Sequence, residues 1–115
     1  MVQDSTLSRN SAAGGGIFNL GTATVSSSAL SGNSSGIFGG GIFSNGTLAV
    51  TSSTLSGNSA SASGGGIAGF GGGTLTVQDS VLRGNYAAFP GADLYNLGLL
   101  SVIDSIIRDK YDIFS

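Results

Sequence analysis

The chain has 115 residues, enough for one domain, and its apolar fraction of 40% rules out a disordered polar tract. A single proline excludes collagen-like and proline-rich chains, and the absence of cysteine excludes disulfide frameworks and thiolate metal sites. Only four residues are Lys or Arg and the net charge is −2, which argues against nucleic acid and against an anionic membrane surface as partners.

In chain order, Met1-Val2-Gln3-Asp4 lacks a basic segment followed by an apolar stretch, so no signal peptide is expected. No apolar run is long enough to span a bilayer as a helix, so the chain is expected not to be transmembrane. Val2, Leu7 and Asn10 begin a partial coil over 1–13. From there the same landmarks recur, and such repeats decide architecture. Glycine triplets at Gly14-Gly15-Gly16, Gly39-Gly40-Gly41 and Gly64-Gly65-Gly66 precede Ile17, Ile42 and Ile67. A fourth copy reads Gly91-Ala92-Asp93 before Leu94. Coils therefore start near 14, 39, 64 and 91. Each contains a valine (Val25, Val50, Val77, Val102) and, five residues on, Leu30, Leu55, Leu82 or Ile107. Three residues further stand Asn33, Asn58 and Asn85, with Lys110 in the last copy.

Within a copy, Thr47-Leu48-Ala49-Val50 and Thr74-Leu75-Thr76-Val77 alternate apolar with small residues, the period of a half-buried strand. Ile17 to Ile42 and Ile42 to Ile67 are each 25 residues; Ile67 to Leu94 is 27, because Gly71-Gly72-Gly73 lengthens one turn. Insertions confined to glycine-rich turns are what a stacked solenoid tolerates. The expected fold is an all-β, right-handed parallel β-helix of about four to five coils of ~25 residues, with three short strands per coil. The chain is one β-helix domain over 1–115, with a cap-like C-terminus over 108–115, where Arg108-Asp109-Lys110 brings charge. Ile17-Ile42-Ile67-Leu94 and Val25-Val50-Val77-Val102 are the expected core stacks, and Asn10, Asn33, Asn58 and Asn85 an internal amide ladder. A β-sandwich is the rival; it predicts hairpins and no alignment of identical residues. Because the N-terminus begins inside a repeat, a piece of a longer solenoid, or end-to-end self-association, is expected.

Leu55-Ser56-Gly57-Asn58-Ser59-Ala60 followed by Gly64-Gly65-Gly66-Ile67 resembles the repeat of the polymorphic outer-membrane autotransporter passengers. That family pairs an aromatic, two variable residues and Asn with Gly-Gly-Ala and an aliphatic. Leu30-Ser31-Gly32-Asn33 with Gly39-Gly40-Gly41-Ile42 follows the same plan, as does Leu82-Arg83-Gly84-Asn85 with Gly91-Ala92-Asp93-Leu94. Leucine replaces the aromatic, and Gly or Asp the alanine. The likeness covers nearly the whole chain. It implies a bacterial protein that is exported to the cell surface or secreted and is adhesin-like. The expected role is non-catalytic, structural or binding, without cofactor, the partner being an unidentified glycan or protein.

Gly32-Asn33-Ser34-Ser35-Gly36 has the spacing of a serine-hydrolase elbow, but the chain has no histidine to act as base. Gly64-Gly65-Gly66-Ile67-Ala68-Gly69 fits a dinucleotide fingerprint, but no helix follows it. Asp79 and Asp104 share one repeat position, as do Arg83 and Arg108. Together they are the only plausible cluster for a polysaccharide-active, lyase-like enzyme; the structural reading makes the aspartates corner residues. No metal site is expected. Thr22, Thr24, Thr47, Thr74 and Thr76 form an outward Thr-x-Thr array, interrupted at Leu99, that is similar to β-helical ice-binding proteins. Phe18, Phe43 and Tyr95 make a broken aromatic ladder, with Phe38 and Phe89 as its expected cover. Asn33-Ser34-Ser35 and Asn45-Gly46-Thr47 fit the N-glycosylation sequon, the first expected to be buried in the amide ladder.

Overall fold

Alternating strand residues and tight corners at every five to eight positions leave each short segment one apolar face to bury. The chain buries these faces by stacking coils. A computed structural model describes residues 1–12, 15–70, 73–89, 91–107 and 113–114. All strand pairs among them are parallel, and they build four sheets. The first sheet contains Val2–Gln3, Thr22–Ser26, Thr47–Thr51, Thr74–Gln78 and Leu99–Ile103. Thr6–Ser8, Ala29–Ser31, Thr54–Ser56, Val81–Arg83 and Ile106–Ile107 form the second, and Ser11–Ala12, Ser34–Ser35, Ser59–Ala60 and Tyr86–Ala87 the third. Ile17–Asn19, Ile42–Ser44, Ile67–Gly69, Leu94–Asn96 and Ile113–Phe114 form the fourth. This is a parallel β-helix of about four turns. The all-parallel pairing disposes of the sandwich. Among the described residues no helix is long and apolar enough to cross a membrane.

Each coil has four strands, not the three expected. The extra one is the two-residue segment after each ladder asparagine. Ser-Ser and Ser-Ala carry little strand propensity, so in sequence they read as part of the Gly-Asn turn.

Register follows the repeat. Val2 pairs with Val25, Val25 with Val50, Val50 with Val77 and Val77 with Val102. Ile17, Ile42, Ile67 and Leu94 align likewise, and Leu94 pairs on to Ile113. Thus Ile113–Phe114, placed in the cap by the sequence reading, adds a strand to the fourth sheet; the rest of 108–115 lies outside the described residues. Val25, Leu30, Ile42, Val50, Leu55, Ile67, Val77, Leu82 and Leu94 are fully buried, with Leu48 and Leu75 beside them. Burial of each such side chain stabilises by about 1.5–3 kcal/mol relative to exposure. The end members depart from expectation: Ile17 is only partly buried and Val102 is 38% exposed. A described neighbouring coil covers each on one side only.

Among the described residues no buried side-chain N or O lacks a partner. Asn33 Nδ2 donates to Asn58 Oδ1 and Asn58 Nδ2 to Asn85 Oδ1, each at 3.0 Å. The same amides also donate to Leu7 O and Leu30 O in the preceding coil. The backbone N–H of each of these two asparagines donates to the same acceptor oxygen. Asn10 joins the ladder at 2.9 Å from Asn33 Oδ1, but from an exposed position in the first coil. At the other end Asn85 Nδ2 donates to Asp93 Oδ1 at 2.7 Å. Asp93, 1% exposed, stands where the other copies have the third glycine of the triplet and fills that space with a carboxylate.

A second ladder was not anticipated. The backbone N–H groups of Ser5, Ser28, Ser53 and Ser80 each donate to the hydroxyl of the equivalent serine one coil on, ending at Ser105, all at 3.1 Å. Each of the five hydroxyls donates to the carbonyl two residues back in its own coil. The serine recurs immediately after the corner residue in every copy, a signal present in the sequence.

Candidate functional site

The residues left to face outward define what the molecule can touch. Asp4, Ser27, Ser52, Asp79 and Asp104 occupy one corner, each with φ between 46° and 50°. That left-handed region suits Asp, whose short polar side chain tolerates it. Asp79 and Asp104 are thus corner residues on adjacent coils, Asp79 N donating to Ile103 O at 3.0 Å. Arg83 ends the next strand, exposed on the second sheet, and Arg108 lies outside the described residues. Among the described residues no three His, Cys, Asp or Glu side chains converge as a metal site. The left-handed backbone accounts for these aspartates as corner residues, a position that serine fills in two other coils.

The threonines lie on the first sheet. Thr22 pairs with Thr47, Thr76 with Ala49 and Ser101, and Thr74 with Leu99. Thr22 and Thr47 are exposed; Thr24, Thr74 and Thr76 are half-buried. Outward side chains repeat about 4.8 Å apart along the axis. Leu99, 70% exposed, ends the hydroxyl column.

The aromatic ladder is completed by a residue the sequence reading left aside. Phe18 stacks on Phe43 with centroids 5.0 Å apart, and Phe43 on Phe70 at 5.3 Å. Phe70 and Phe38 fill the place that Ala68 vacates and carry the cluster to Tyr95 at 5.6 and 5.9 Å. Phe89 is 63% exposed and is not among the stacked rings. Rings stacked on one another spend their faces on packing, which leaves edges for a ligand.

The third sheet carries a groove that the sequence reading missed. Ser11, Ser34 and Ser59 align in register, and Tyr86 takes the fourth place. With Ser35, Gly36, Ala60 and Ser61 they line an open groove of about 310 Å³. The hydroxyls of Ser34 and Ser59, unlike those of the inner serine ladder, donate to no protein group among the described residues. Tyr86 is 64% exposed. The legible signal is the residue after each ladder asparagine: Asn10-Ser11, Asn33-Ser34, Asn58-Ser59, then Asn85-Tyr86. No charged residue lines the groove.

Comparison with protein-family models, curated proteins and solved structures finds no match for this chain.

Proposed function

We propose that the chain is a non-catalytic binding segment of a β-helix displayed at a cell surface or secreted, adhesin-like, with an uncharged glycan as the favoured ligand. The observation that carries this reading is the groove on the third sheet. Its free serine hydroxyls repeat once per coil, an exposed tyrosine ring closes it, and no charge lines it. Sugar hydroxyls pair with protein hydroxyls, and the apolar face of a pyranose packs on an aromatic ring. The purified chain is expected to bind neutral oligosaccharides on a glycan array. Tyr86→Ala should weaken that binding about tenfold, roughly the value of one aromatic contact. The double change Asp79→Asn with Asp104→Asn should leave it unaltered. Binding confined to acidic glycans and lost in the double aspartate variant would favour the polysaccharide-active reading instead.

The paired Thr22 and Thr47, with Thr74 and Thr76 on the same sheet, favour ice as a second ligand. Thermal hysteresis that disappears in Thr47→Tyr and persists in Tyr86→Ala would transfer the binding face from the third sheet to the first.

A further inference from the structure

Two asparagines satisfy the N-glycosylation sequon, and the fold treats them in opposite ways. Asn33 is fully buried. Its amide nitrogen donates to Asn58 Oδ1 and Leu7 O, and its oxygen accepts from Asn10. A group attached there would end the ladder. Asn45 lies in the corner between Ile42–Ser44 on the fourth sheet and Thr47–Thr51 on the first, and is exposed. Its backbone N–H donates to Asn19 O at 2.8 Å, which fixes the corner. Its side-chain amide donates to no protein group among the described residues. Gly46 adds no side chain beside it, and Thr47, the sequon hydroxyl, is exposed at the start of its strand. The same corner position holds Leu20, Phe70 and Leu97 in the other coils, where Phe70 N–H and Leu97 N–H donate to Ser44 O and Gly69 O, so among these only Asn45 presents an amide.

We propose that Asn45 is an acceptor for an N-linked oligosaccharide, an inference that rests on the reading of the chain as exported. In the transfer, Asn45 Nδ2 attacks C1 of an oligosaccharide carried on a polyisoprenyl pyrophosphate. The new N–C1 bond forms, the C1–O bond to the pyrophosphate breaks, and the lipid pyrophosphate leaves with the electron pair. The amide proton passes to the transferase. The attached glycan would stand at the edge of the threonine face, with the fourth sheet between it and the Ser34–Ser59–Tyr86 groove. It would shade the first and leave the second open.

The test expresses the 115-residue chain behind a cleavable secretory signal in a eukaryotic host and maps occupancy by glycopeptide mass spectrometry, in medium and cells alike. The expected result is a peptide-N-glycosidase-sensitive glycan on Asn45 and none on Asn33 in the folded chain. Asn45→Gln removes it, and so does Thr47→Ala, which keeps the asparagine. An unmodified Asn45, or a folded chain glycosylated at Asn33, overturns the assignment. A secreted chain with a bare Asn45 defeats this site and leaves the export reading standing; a chain glycosylated at Asn45 but held in the cell does the reverse.

Discussion

Asn58→Ala is expected to lower stability by about 3–6 kcal/mol, enough to bring a domain of ordinary stability, about 5–15 kcal/mol, close to unfolding. The estimate comes from counting what loses its partner. Asn33 N–H loses its only acceptor in the ladder, and Leu30 O loses its side-chain donor. Asn33 Nδ2 keeps Leu7 O alone, and Asn85 Oδ1 keeps only what the Asn58 backbone gives. Each fully orphaned buried group costs about 1–3 kcal/mol, and the emptied side-chain volume adds to that. Asn58→Asp preserves the shape but replaces a two-hydrogen donor by an acceptor facing two acceptors, so at neutral pH it should destabilise at least as much. Asn10→Ala, at the exposed end of the same ladder, should cost no more than about 1 kcal/mol. Urea unfolding separates these outcomes: the Asn58 variants should shift the midpoint by more than about 1 M and the Asn10 variant by far less. An Asn58→Ala chain as stable as Asn10→Ala would mean that the amides decorate the coils and do not hold them together.

How far the sequence reveals this molecule depends on whether a residue's role is set along the axis or across it. Along the axis, like residues meet like. The valine, isoleucine, leucine and asparagine stacks were therefore legible from spacing alone, and the registers of Val25, Val50 and Val77 follow it residue by residue. Across the coil, geometry is set by corners whose residues are small. Ser34–Ser35 and Ser59–Ala60 have no strand signature, and they become strands because the coils above and below offer backbone partners. The groove was missed for the same reason, since a serine after an asparagine reads as a turn. Asp79 and Asp104 stand out in the sequence because carboxylates are scarce in this chain. The positive φ they share with Ser27 and Ser52 is a backbone demand that spacing alone does not reveal. The completion of the aromatic ladder by Phe70 was also hidden, because Phe70 belongs to a corner and not to the strand column it fills.

Gly65→Ala is expected to cost about 3 kcal/mol or more, while Gly36→Ala should be neutral or stabilise by up to about 1 kcal/mol. The sequence marks the glycine triplets as turns, yet the demand at Gly65 is one of room. A Cβ there would lie 2.3 Å from Tyr86 O and 2.6 Å from Ala92 O. Both are backbone atoms: Tyr86 is pinned by its pairing with Ser59, and Ala92 O accepts from Gly66 N–H, so neither yields without breaking contacts between coils. Gly40 repeats the situation one coil earlier, 2.3 Å from Ser59 O and 2.4 Å from Gly65 O. A Cβ on Gly36 meets nothing within 4 Å, and its φ lies outside the left-handed region. Alanine there chiefly reduces the freedom of the unfolded chain. Thermal melts of the two variants against the parent test the contrast, since they differ only in whether a neighbouring coil approaches. Equal melting temperatures would show that the coils are not packed to backbone contact at the triplets. The close stacking of the third and fourth sheets, on which the groove depends, would then be wrong.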